Sequence, residues 1–183
     1  MQRDLVERAM TGDHDAFAEL ARVSIGRLFV VARLILRDDA AAEDATQDCL
    51  VAAWRYIRGL RDPDRFDAWL HRLLVNSCHN ESRRGRRRSS IEMHVEALDS
   101  PQPDPNLALL DRDELERGFR RLDTDQRAVI VLHYYLGYTL DEASEVLRVP
   151  PGTVRSRLHR ATRAMRAALD ADARHKVAKG ASA

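Results

Sequence analysis

Between Asp4 and Arg84 apolar residues recur at spacings of three and four, and no stretch alternates long enough to make a strand. The pattern predicts amphipathic helices near Gln2 to Met10, Asp13 to Ala21, Ile25 to Leu36, Ala40 to Ile57 and Asp64 to Arg84. The breaks fall at "TGD", "RDD" and "GLRDPDR", where Gly, Asp and Pro supply turn chemistry. Periodicity then fails from Gly85 to Asn106. Arginines and serines give way to acids and to "SPQPDP", whose prolines disfavour helix and keep the chain extended. Helical spacing returns from Leu107 to about Asp170, and the tail "ADARHKVAKGASA" predicts a disordered end. The expected fold is therefore all-α: two small helical domains, residues 1–84 and 107–170, joined by a flexible acidic linker at 85–106 and followed by a disordered tail at 171–183.

The second half carries the sharper local signals. Asp123 opens a helix that ends near Gly137, with Val129, Ile130, Leu132 and Leu136 available to a core and Tyr134, Tyr135 and Tyr138 expected to pack. In "TLDEASEVL", Thr139 and Glu142 have the spacing of a capping box, so a second helix starts there with Leu140, Ala143 and Leu147 on its buried face. Pro150 and Pro151 stop it, and Pro151 suits the first position of a third helix. In that helix Val154, Leu158, Ala161 and Met165 make one narrow apolar stripe. The other faces show Arg155, Ser156, Arg157, His159, Arg160 and Arg163, with no acid between Val149 and Arg166. Two helices, a tight turn and an exposed basic second helix make a helix-turn-helix, whose second helix enters the DNA major groove. Thr153, Arg155, Ser156 and Arg157, near its start, are placed for base edges, and Arg160 and Arg163 for phosphates.

In the first half, Phe66, Leu70, Leu73 and Leu74 can face a core, which leaves Arg72, Asn76, Asn80 and Arg83 as a stripe at roughly four-residue spacing, bordered by Trp69. Asparagine and arginine can bond exposed base edges and phosphates, and an aromatic ring can stack on an unpaired base. The preceding helix collects Asp44, Gln47, Asp48, Val51 and Arg55 on one face, opposite Ala45, Cys49, Ala53 and Trp54. Like charges at Asp44 and Asp48 disfavour an isolated helix, so the pair suits a basic protein partner better than helix stability.

Charge sharpens this picture only through its distribution. The 183 residues carry a net charge of +1, yet "RRGRRR" packs five arginines while Glu92 to Glu116 holds eight acids against Arg112 alone. Blocks of opposite sign imply separate surfaces. Two cysteines far from any CxxC spacing read as buried hydrophobes, no stretch approaches the ~20 apolar residues of a membrane span, and the N-terminus lacks a signal peptide's apolar run. A cytoplasmic protein is expected. No HExxH, glycine-rich phosphate loop or nucleophile–base pairing is visible, so neither an enzyme nor a cofactor, metal or small-molecule substrate is expected.

Taken together, "AEDATQDCLVAAWR", "FDAWLHRLLVNSCHNESRR" and "LDTDQRAVIVLHYYLGYTLDEASEVLRVPPGTVRSRLHRATRAMR" resemble the conserved blocks of bacterial extracytoplasmic-function sigma factors, over Asp15 to Leu169. The resemblance implies a factor that directs RNA polymerase to promoters. It implies that Asp44, Gln47, Asp48 and Val51 meet the clamp helices of the largest polymerase subunit, with the polymerase flap as a further contact. It implies that the loop Gly59 to Phe66, including Arg61, acts with Trp69, Arg72, Asn76, Asn80, Arg83 and Arg84 to capture unpaired bases of the minus-10 element. Thr153, Arg155, Ser156, Arg157, His159, Arg160 and Arg163 would engage the minus-35 duplex, the acidic linker would follow the RNA exit path, and an anti-sigma factor would be a partner. Arg148 departs from the family pattern, standing where a glycine usually completes the turn. The competing reading is a stand-alone helix-turn-helix regulator whose first domain senses a ligand or dimerises.

Overall fold

The structure, a computed structural model, describes residues 2–91 and 118–180, with side chains over 2–87 and 118–170. The expected linker from 92 to 106 and the start of the second domain at 107–117 lie outside the described residues. Among those described there is no strand. The N-terminal module comprises α1 (Gln2–Met10), α2 (His14–Leu36), α3 (Asp39–Tyr56) and α4 (Phe66–Ile91). Two 3₁₀ turns, Ile57–Gly59 and Pro63–Arg65, join α3 to α4. The C-terminal module comprises α5 (Thr124–Ile130), a π-helical turn (Val131–Tyr135), α6 (Leu140–Leu147) and α7 (Pro151–Gly180).

Caps set most of the starts. Asp13 and Asp38 accept from the backbone N–H groups of Ala16 and Ala41 at 3.0 and 2.7 Å. Asp123 with Gln126, and Thr139 with Glu142, each close a reciprocal capping box. Where the sequence predicts two helices between Asp13 and Leu36, one continuous α2 forms. Ala16, Leu20, Ser24, Leu28, Val31 and Ile35 keep a single buried stripe through the expected break, so tertiary packing outweighs the weak helix preference of Ser24 and Gly26.

Two further boundaries move outward. Helix α4 runs past Arg84 to Ile91, into the stretch expected to be linker. Arginine is a good helix former, Gly85 alone costs only ~1 kcal/mol relative to alanine, and Arg86 Nε donates to the Ser82 carbonyl at 3.3 Å. Helix α7 likewise continues through the predicted disordered tail to Gly180, since nothing between Asp170 and Gly180 breaks a helix.

The α1, α2, α3 and α4 helices pack side by side, and one apolar cluster runs from them into the C-terminal module. Leu28, Leu74 and Cys78 belong to it together with Ala128, Val129, Leu132, Ala143, Val146 and Val154. The two modules therefore share a core rather than standing apart. Cys49 and Cys78 are both buried, and burial pushes each thiol up to about 12.

Candidate nucleic-acid interface

Helix α6, its turn and α7 form the expected helix-turn-helix. Arg148 ends α6 in the left-handed region at φ 54°, its N–H bonded to the Ser144 carbonyl, and Pro151 then opens α7. A side chain in that conformation costs ~1–2 kcal/mol, which a glycine would avoid. Ala143 of α6 is buried and Leu140 and Leu147 are half-buried against the same core, as expected, and Val146 joins them as a further buried residue. On α7, Val154 and Ala161 are buried and Leu158 and Met165 half-buried, as the stripe predicts.

That packing leaves Arg155, Ser156, His159, Arg160 and Arg163 exposed. Thr153 is half-buried, and its carbonyl accepts from Ser156 Oγ at 2.9 Å. Arg157 differs. Its side chain is only 20% exposed and its guanidinium lies 2.7 Å from Asp125 at the start of α5. His79 of α4 approaches the same carboxylate at 2.9 Å, without the alignment of a hydrogen bond. This predicted base reader is thus partly withdrawn from solvent beside an acid that periodicity did not single out.

The stripe on α4 is also partly engaged. Asn76 is exposed, Asn80 accepts from Arg83 at 2.6 Å, and Trp69 is half-buried with its ring 5.9 Å from Phe66. Arg72 is half-buried, and burial, then the nearby Arg148, lowers the proton affinity of its guanidinium. Arg61 is exposed in the turn before α4. Arg84 ion-pairs with buried Glu81 and reaches Asp48 at 3.3 Å, so the α4 surface borders the acidic face of α3. On that face Asp44, Gln47, Asp48 and Val51 are all exposed, Val51 by 43%. Trp54, on the other side, rests edge-on against His14 with ring centroids 4.6 Å apart.

Several contacts between the modules have no signal in the local sequence. His71 Nδ1 meets the Tyr138 hydroxyl at 2.8 Å, Ser82 bonds Thr124 at 2.8 Å, and Arg65 pairs with Glu145. Burial lowers the pKa of His71 below the usual histidine range and pushes Tyr138 up to about 12. Tyr138 packs, as expected, but Tyr134 and Tyr135 are 65% and 56% exposed. The π-helical turn corrects that expectation. Its Leu136 N–H bonds the Val131 carbonyl at 3.0 Å, and the extra residue in the turn rotates both tyrosines off the core.

Among the described residues no cluster of His, Cys, Asp and Glu could hold a metal, and no helix is long and apolar enough to cross a membrane. Residues 20–88 match the family described as Sigma-70 region 2, and residues 112–165 match Sigma-70, region 4. The chain is 32% identical over 158 residues to the ECF RNA polymerase sigma factor SigM of Mycobacterium tuberculosis, covering 86% of this chain and 79% of that one. It is 29% identical over 180 residues to the RNA polymerase sigma-H factor of Pseudomonas aeruginosa, covering 91% and 93%. Among solved structures, CnrH in complex with the cytosolic domain of CnrY aligns over 93% of this chain and 98% of its own, at 30% identity and a TM-score of 0.67. The sigma factor RpoE of Bartonella quintana, in complex with the anti-sigma factor NepR, shares the fold at the same TM-score, with 24% identity over 85% and 98%.

The chain belongs to the ECF RNA polymerase sigma factors, which are transcription initiation factors rather than enzymes. Membership of that family displaces the stand-alone regulator.

Proposed function

We propose that this chain binds core RNA polymerase through Asp44, Gln47, Asp48 and Val51 on α3 and directs it to a promoter by reading DNA with both modules. The observation that carries this reading is the pairing of an exposed acidic face on α3 with an exposed arginine face on α7, on separate modules and in family order. Acids on a rigid helix suit a basic docking surface. Arg155, Ser156 and His159 engage base edges of the minus-35 duplex beside Thr153 and Arg157, and Arg160 and Arg163 hold phosphates. Arg61, Trp69, Arg72, Asn76, Asn80, Arg83 and Arg84 take the melted minus-10 strand by stacking and hydrogen bonding.

In this reading, residues up to about Arg84 form the polymerase and minus-10 domain, and residues from about 107 to 170 the minus-35 domain. The acid-rich stretch between them follows the RNA exit path, and the flap receives the second domain. The factor works in the cytoplasm, and an anti-sigma factor restrains it, a reading supported by the similarity to RpoE, whose structure is of a complex with the anti-sigma factor NepR.

The test is size-exclusion co-elution of the full chain with sigma-free core polymerase, comparing wild type with an Asp44→Arg, Asp48→Arg double variant. Wild type should co-elute, and the variant should bind at least ~100-fold more weakly, because two reversed charges face a basic partner. Unchanged binding by the variant would remove the α3 assignment. Failure of the wild type to co-elute would remove the sigma-factor mechanism itself.

A further inference from the structure

We propose that Glu81 is a positioning residue for DNA capture: buried on α4, it fixes the Arg84 guanidinium in the path of the minus-10 strand and keeps it there once polymerase has taken Asp48. The inference rests on the readings of Arg84 as a DNA contact and of Asp48 as a polymerase contact, and Glu81 belongs to neither set. Among the described residues Glu81 is the only buried charged side chain, at 5% exposure. A carboxylate withdrawn from water in this way is tolerated only when it is paired, and even then an apolar residue in its place is often no less stable. Arg84, three residues further along α4, supplies the opposite charge. The pair is lopsided, with its acid inside and its base at the surface, where the Arg84 side chain is 56% exposed. Such an arrangement adds little to the core, but it anchors a surface arginine from below.

Two carboxylates meet the same nitrogen of Arg84. Nη1 donates to Glu81 Oε1 and reaches Asp48 Oδ2 at 3.3 Å, and neither contact uses Nε or Nη2. The guanidinium is therefore held by one corner, which leaves donors for a phosphate of the passing strand. The two acids differ in what else can reach them. Asp48 is exposed on the proposed polymerase face of α3, whereas Glu81 is closed to any partner. A polymerase that binds Asp48 removes one of the two holds on Arg84 and leaves the buried one in place. Without Glu81 the long side chain would be free to change rotamer, and the strand would have to order it on binding. Removing an acid beside a DNA surface ordinarily strengthens binding, because less negative charge faces the phosphates. Loss of Glu81 weakens it instead, and that sign separates positioning from plain electrostatics.

The experiment uses holoenzyme assembled from the full chain and sigma-free core polymerase, with wild type, Glu81→Gln, Arg84→Gln and the double variant. Anisotropy of a fluorescein-labelled random-sequence single strand reads DNA binding against core polymerase alone, and circular dichroism of the free chain reads folding. Glu81→Gln should weaken binding about fivefold, the cost of ordering one freed arginine, with helix content unchanged. Glu81→Met, which fills the same space with an apolar chain, should weaken it equally and carries the test if the glutamine variant does not fold. Arg84→Gln, which keeps a donor for Glu81, should weaken binding at least as much. The double variant should bind like Arg84→Gln, because Glu81 acts only through that arginine. Unchanged or tighter binding by both Glu81 variants overturns the proposal. A Glu81 loss that recurs in full in the Arg84→Gln background also overturns it, since the role is then structural. If Arg84→Gln itself leaves binding unchanged, the reading of Arg84 as a DNA contact falls and the positioning role falls with it. A weakened Arg84→Gln beside unaffected Glu81 variants faults Glu81 alone.

Discussion

Helices α4 and α7 are the two long helices for which DNA contacts are proposed, and they present those side chains differently. Helix α7 buries a narrow stripe and leaves Arg155, His159, Arg160 and Arg163 in solvent. Helix α4 is packed on several sides, against α2 and α3 of its own module and against α5 and α6 of the other. Its Arg72 is half-buried, its Asn80 is bonded to Arg83, and its Arg84 is tied to Glu81 and Asp48. A surface helix can offer side chains directly, whereas a central helix must first release them. Sharing the core is what makes α4 both a scaffold and a surface that depends on where the second module sits.

The sharpest way to break this contrast is to cut the core under α4. Leu74 is fully buried in the cluster that both modules share, so Leu74→Ala should cost ~2–5 kcal/mol. Urea unfolding followed at both modules should show them losing stability together. Separate midpoints, with the C-terminal module unmoved, would show that the shared core does not couple them.

A smaller effect tests the join between the modules through acid. The folded pKa of His71 lies below its ordinary value because of burial, with Asp67 opposing and Arg27 adding to the shift. The native state therefore resists a proton that the unfolded chain accepts. The stability this contributes is full above the ordinary histidine pKa of ~6.5 and is lost as pH falls through the window below it. His71→Gln should flatten the fall in denaturation midpoint below pH ~6.5. An equally steep profile would place the acid sensitivity elsewhere, with His79 the next candidate because burial lowers it too.

The smallest expected change concerns α7's own support. Arg148→Gly should raise stability by ~1 kcal/mol, because glycine relieves the left-handed strain at φ 54° without touching the exposed face of α7. Thermal denaturation reads it, and a lower midpoint would mean that the Arg148 side chain supports the turn more than its backbone strains it.

What was legible in the sequence follows the same division. The caps at Asp123 and Thr139, the turn at Pro150 and Pro151 and the stripe of α7 are local, and short-range chemistry fixes them. The continuity of α2 is not legible because Ser24 is polar by type yet sits at 3% exposure on the buried stripe. The exposure of Tyr134 and Tyr135 is not legible because one π-helical turn shifts the helical phase at these residues. The bridge from Asp125 to Arg157 and His79 joins residues 32 and 46 positions from Asp125, and no periodicity carries that information.

The buried cysteines have a practical consequence. Only the thiolate reacts with maleimides or oxidants, and burial both shields these two thiols and raises their pKa, so they present little thiolate at neutral pH. A cysteine placed on the surface would therefore take a label against a silent native background. Pairs of dyes on the two modules can then follow their separation in the otherwise unaltered chain.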